Sequence, residues 1–172
     1  FTENVAIAIG EKTVHLFSLT RYMGHQLGVP RNWATRVFVD SDIVAVDIRQ
    51  NKVWMVTRTE VRVKDLDSMG LLALRTDAFD ASTVPIGLVA MTNGCEAIVA
   101  VRSIQSGRVG LLWLKADPLA SKIEKNDLGI ESCIIEGAPI YGKGTLAFAA
   151  RDTAHVRLMY VVSADDETVV RF

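Results

Sequence analysis

Few of the residues that carry catalysis, metal binding or cross-linking occur in this 172-residue chain. Its two cysteines, Cys95 and Cys133, are too few and too far apart for a zinc signature or a disulfide framework. Both read as buried thiols, which favours a reducing compartment. Its three histidines, His15, His25 and His155, stand at no metal-ligand spacing and beside no nucleophile elbow. Neither sign of charge is in excess: 19 Lys and Arg against 20 Asp and Glu leave a formal charge of −1. No global field therefore draws the chain to nucleic acid or membrane, and any such binding has to come from a local patch. Long apolar runs are missing as well. Nothing approaches the roughly 18 to 20 residues of a membrane-spanning helix, and "FTENVAIAIG" at the start lacks the basic and long apolar regions of a secretory leader. The expectation is a soluble chain, and one that begins on Phe1 is expected to be a part of something longer.

What is present is apolar material for a core: 49% hydrophobic residues and a mean hydropathy of +0.24, enough for one packed domain. It is distributed in short runs rich in β-branched and aromatic residues, bounded by Gly, Asn, Asp, Ser and Thr, which are strand and turn signals. "VAIAIGEKTVHLFSL" from Val5 to Leu19 gives two such runs. "DIVAVDIRQNKVWMVTRTEVRVKDL" gives three, Ile43 to Ile48, Val53 to Thr57 and Val61 to Leu66. "GLVAMTNGCEAIVAVRSIQSGRVGLLWL" repeats the pattern at Gly87 to Met91, Ala97 to Val101 and Val109 to Leu114, and "GTLAFAARDTAHVRLMYVVSADDETVVRF" does so to the end. Only Leu119 to Lys125 and Met69 to Ala78 have helix-tolerant composition, and neither is long or capped enough for a major helix.

Taking Thr13, Glu60, Arg108 and Thr168 as starts of closing strands gives intervals of 47, 48 and 60. A four-stranded propeller blade takes roughly 40 to 50 residues, so a loop insertion is expected between Asp117 and Gly144. The reading is an all-β chain, a β-propeller of WD-repeat type, with about four blades at approximately 1–36, 37–80, 81–135 and 136–172. Blades bury their faces against neighbours round a ring, so a single domain over 1–172 that is part of a seven-bladed ring is preferred to a small closed one. A β-sandwich is the rival architecture.

The order of segments resembles the PROPPIN family, seven-bladed propellers that bind phosphoinositides. The likeness runs through "DIVAVDIRQNKVWMVTRTEVRVKDL", "VPIGLVAM" at Val84 to Met91, "EAIVAVRSIQSGRVGLLWLKAD", "GKGTLAFAARD" at Gly142 to Asp152 and "VSADDETVVRF". The resemblance implies a non-enzymatic propeller at cytoplasmic membranes, peripherally associated, recruiting partners in autophagy or endosomal traffic, with neither cofactor nor metal. Its paired-arginine motif would fall after Phe172. Gly142 stands where the family has His, and Asp165, Asp166 and Glu167 replace a basic turn, where they would repel a phosphate. By position in the resembling blade, Lys143, Thr145, Ser163 and Thr168 are the lipid-binding candidates, because a headgroup needs several cationic and hydroxyl donors on one rim.

Three further motifs have ordinary readings. "YGKGTL" lacks the spacing and following helix of a phosphate loop, and the acidic turn lacks calcium-loop spacing. Trp54 and Trp113 fall inside strands as packing residues. Trp33, in "VPRNWATR", shares a loop with Arg31 and Arg36 and is the partner-binding candidate. The alternative function is a WD-repeat scaffold that binds proteins on its rim without lipid; a nucleic-acid partner is not expected.

Overall fold

The computed structural model describes residues 5–9, 13–18, 34–38, 42–68, 70–127, 134–135, 140–142, 145–151, 157–163 and 168–171, with side chains described over 42–68 and 70–126 and at 147. Every regular element among them is a strand. β1 (Val5–Ile9), β2 (Thr13–Ser18) and β3 (Ala34–Phe38) form one antiparallel sheet. β4 (Ile43–Arg49), β5 (Lys52–Thr57), β6 (Val61–Asp65) and β7 (Leu71–Arg75) form a four-stranded meander. β8 (Thr83–Ala90), β9 (Glu96–Ser103), β10 (Val109–Asp117) and β11 (Lys122–Asp127) form a second. In the last sheet β12 (Ile134–Ile135) and β13 (Ile140–Gly142) both pair with β14 (Thr145–Arg151), followed by β15 (Arg157–Ser163) and β16 (Thr168–Arg171). The two central meanders stand side by side. Their outer strands touch through one parallel pair, Leu74 with Lys122, and their inner strands β4 and β8 pack together, with β13 and β14 against β8 in turn. This is the fold of a β-propeller.

Local chemistry explains the turns. Gln50 and Asn51, between the paired Arg49 and Lys52, have φ of 46° and 61°, the two positive values of the tight hairpin turn whose twist suits its strands. In the neighbouring meander the equivalent turn is longer. Asn93 accepts from the amides of Cys95 and Glu96 at 2.9 and 3.1 Å, and Gly94 takes φ 65°. The glycine is needed twice over, because a Cβ there would also lie 2.7 Å from Cβ of Gln50 and 2.9 Å from the Arg49 carbonyl. The two hairpins thus abut, and the buried Trp54 indole donates to the Gly94 carbonyl at 3.0 Å.

One apolar cluster fills the space between the two meanders: Trp54, Val56 and Val63 from the first meet Leu88, Val99 and Leu114 from the second, with Phe79 of the linking loop. Val46, Ile48, Val53 and Met55 cover the opposite face of the first meander. Strands buried on both faces read as continuous apolar runs, and this is why β5 and β9 were legible.

Three expectations need correction. The helix-tolerant stretches 69–78 and 119–125 hold the outer strand β7 and most of β11; among the described side chains one buried residue in each strand, Ala73 and Ile123, ties it to the core, and pairing overrides composition at such an edge. The repeat is also more even than the interval of 60 indicates, because Thr168 opens a fourth strand whereas Val61 and Val109 open third ones. The third strands start at 61, 109 and 157, two steps of 48. No loop insertion is required, and 117–144 contains β11, β12 and β13. Finally, Cys95 is half-buried in the β8–β9 turn, since a turn between abutting hairpins has only one covered side. Cys133 lies outside the described residues.

Candidate functional site

Of the lipid-binding candidates, Lys143 lies outside the described residues. The other three are brought together by register: Thr145 opposes Ser163, and Ser163 opposes Thr168, a row across β14, β15 and β16 at one end of the last sheet. The acidic turn 165–167 lies outside the described residues. Among the partner-binding candidates, Arg31 and Trp33 lie outside the described residues, and Arg36 sits in β3 opposite His15. Trp113 is half-buried on β10, and its buried indole N–H has no partner among the described residues.

The structure adds a site that sequence reasoning did not single out. Where the loop linking β7 to β8 passes over the second meander, an open cleft of about 380 Å³ is lined by Ala78 and Asp80 on one side and by β9, β10 and β11 on the other. Its floor is the end of the core between the meanders: Val101 and Leu112 belong to that apolar cluster, and Gly110 pairs with Val101. Its rim is polar, with Ser103, Ser106 and Arg108 from the β9–β10 turn and Lys125 from β11.

Each rim group is held by its own local contacts. Asp80 Oδ1 accepts from the Ser82 hydroxyl at 2.6 Å and the Ser82 amide at 2.9 Å. These two bonds, with help from Thr83 and the Lys125 charge, outweigh desolvation and hold the Asp80 carboxyl below its usual range. Lys125 Nζ donates to the Ala78 carbonyl at 3.1 Å, so its charge faces Asp80 across the linking loop. The Ser103 hydroxyl accepts from the Ser106 amide and the Ser106 hydroxyl from the Arg108 amide, each at 3.3 Å. Gly107, with φ 69°, closes this turn by donating to the Ser103 carbonyl at 2.9 Å. Arg108 is exposed and makes no ion pair among the described residues. The cleft therefore has one cation in excess, beside hydroxyls whose hydrogens remain to donate.

Nothing in the order Ser103-Ile104-Gln105-Ser106-Gly107-Arg108 distinguishes this turn from an ordinary solvated one. The available signal is tertiary: Gly110 and Val101 are register partners, which places the apolar floor directly below the turn. Among the described residues no group of three His, Cys, Asp or Glu side chains could hold a metal ion, and no helix is long and apolar enough to cross a membrane.

No protein-family model and no curated protein matches the chain. Solved structures do. Hydrazine synthase of Kuenenia stuttgartiensis superposes with a TM-score of 0.61 at 8% identity over 98% of this chain and 51% of its own. Atg21, a PROPPIN propeller determined in complex with the coiled-coil of Atg16, superposes with a TM-score of 0.58 at 12% identity over 98% of this chain and 52% of its own. The chain thus spans about half the length of the structures it is similar to. At such identities the likeness establishes the propeller fold.

Proposed function

We propose that the chain belongs to a non-enzymatic propeller that works by docking other proteins on its rim. The observation that carries this reading is the cleft beside the linking loop, with an apolar floor and Arg108 as its uncompensated cation. A propeller supplies rigid strands under variable turns, which suits recognition by side chains placed on those turns. The Atg21 complex with a coiled-coil is a case of a similar propeller carrying a protein partner.

A second reading is a phosphoinositide-binding propeller of PROPPIN type, peripheral to autophagic or endosomal membranes on the cytoplasmic side. The row Thr145, Ser163 and Thr168 at one sheet end supports it. Its weakness is chemical: three adjacent acids, Asp165 to Glu167, follow Ser163 in sequence, and acids beside a phosphate cost electrostatic energy.

Flotation of the chain with liposomes, with and without phosphatidylinositol 3-phosphate or 3,5-bisphosphate at physiological salt, separates the two. The scaffold reading expects folded protein to stay with the soluble fraction in every case. Flotation that requires the phosphoinositide and is lost in a Thr145→Ala, Ser163→Ala, Thr168→Ala triple variant would replace it with the second reading.

A further inference from the structure

The floor of the cleft carries a glycine at position 110, although among the described residues neither backbone nor packing demands one. Gly110 lies in β10 without a positive φ, and among the described residues a Cβ there would meet a Val101 methyl at 3.5 Å, an ordinary contact. Compare Gly94, which both its φ and its neighbours require. A larger residue at 110 would fill the hollow and extend the apolar core, with better strand propensity than glycine. The hollow thus stands where ordinary packing would close it, on the face shared with Val101 and Leu112.

The rim identifies the charge of what would fill it. Lys125 is engaged with the Ala78 carbonyl and offsets Asp80, which leaves Arg108 with the Ser103 and Ser106 hydroxyls. A guanidinium and two hydroxyls match the two oxygens of one carboxylate. A phosphate dianion fits less well, because Asp80 lines the same cleft and is held ionised by Ser82. The cleft is open to solvent, whereas small-molecule sites enclose most of their ligand. An open hollow suits an anchor projecting from a larger molecule.

We propose that this cleft docks a short segment of a partner protein in which an apolar side chain stands next to a glutamate or aspartate. The apolar group rests on Val101, Gly110 and Leu112, and the carboxylate meets Arg108, Ser103 and Ser106. The inference rests on the scaffold reading and names the kind of partner it requires.

Fluorescence anisotropy with three labelled, end-blocked peptides tests it: Gly-Ser-Glu-Leu-Glu-Ser-Gly, the same with Gln for both Glu, and the same with Ser for Leu. The Glu-Leu-Glu peptide is expected to bind about tenfold or more tightly than either of the others. Arg108→Ala and Gly110→Leu, the second filling the hollow, should each weaken that binding about tenfold or more. Arg102→Ala, exposed on β9 outside the cleft, should leave it unchanged. Circular dichroism of each variant establishes that it is folded. Because Arg108 lies on an exposed turn, its variant remains informative if Gly110→Leu unfolds. Equal binding of all three peptides, binding of none of them, or binding indifferent to Arg108→Ala would overturn the proposal. If no peptide binds and the chain also fails to float with phosphoinositide vesicles, the docking inference falls and the scaffold reading stands. Phosphoinositide-dependent flotation would remove the reading itself.

Discussion

Asp47 carries a carboxylate into the seam between two blades. Its Oδ2 accepts from the Ala90 amide of β8 and its Oδ1 from the Ile48 amide, both at 2.8 Å. Burial raises its pKa, against the lowering effect of those two bonds and of the Arg49 charge. A raised folded pKa means the neutral acid is favoured in the native state, so this group's contribution to stability is greatest at low pH. It falls as pH rises through the ordinary Asp value and on through the raised folded one. Asp47→Asn keeps an acceptor for Ala90 and removes the buried charge. It is expected to be as stable as the parent or more so at pH 7, with the difference shrinking towards pH 3.8 and below. Asp47→Ala leaves the Ala90 amide without its partner and is expected to cost about 1–3 kcal/mol at low pH, and less as pH rises towards 7, where the parent bears the cost of the buried charge. Urea titrations of both variants between pH 3 and 7 check the sign and the slope. At this scale the sequence was a poor guide, because an aspartate in "VAVDIR" reads as a polar face of an alternating strand. That it meets the amide of a residue 43 positions away is a fact of the tertiary structure.

At the scale of the element, the outer strands were the hardest to see and the inner ones the easiest. β5 and β9 are covered on both faces, so their central runs, Val53 to Val56 and Ala97 to Val101, are all Val, Ile, Met, Trp and Ala. β11, "KIEKND", has one buried side chain among those described, Ile123, at 3% exposed, and its composition belongs equally to a helix. Tertiary pairing decides between them: Lys122 to Asp127 pair with Leu112 to Asp117, and Arg75 donates from its guanidinium to the Ile123 carbonyl at 2.9 Å. Ile123→Ala should therefore cost about 2–5 kcal/mol and act locally. Hydrogen exchange is expected to speed up first at the β11 amides, with β8 and β9 retaining their protection. Equal loss of protection across all four strands would show that the outer strand is not held by this one residue.

Over the whole molecule, the apolar cluster between β4–β7 and β8–β11 makes two blades one cooperative unit. Trp54 is its largest fully buried side chain, and its bond to Gly94 ties one blade to the turn of the next. Trp54→Ala is expected to cost about 3–5 kcal/mol and to lower amide protection in β5 and β9 together. Loss confined to β4–β7 would instead describe blades that unfold independently.

Short β-branched runs between polar turns determined an all-β chain with blade-like spacing, because strand burial and turn conformation are local demands that residues 2 to 10 apart can express. The resemblance to a propeller family was legible on the same runs. The even step of 48 between third strands, the outer strands themselves, the row of Thr145, Ser163 and Thr168, and the cleft below the Ser103–Arg108 turn were decided only when the strands paired and the blades packed. Each joins residues whose side chains have no local preference for one another. Arg108 on its own is a solvated arginine; beside the hollow at Gly110 it is the cleft's cation without a partner among the described residues.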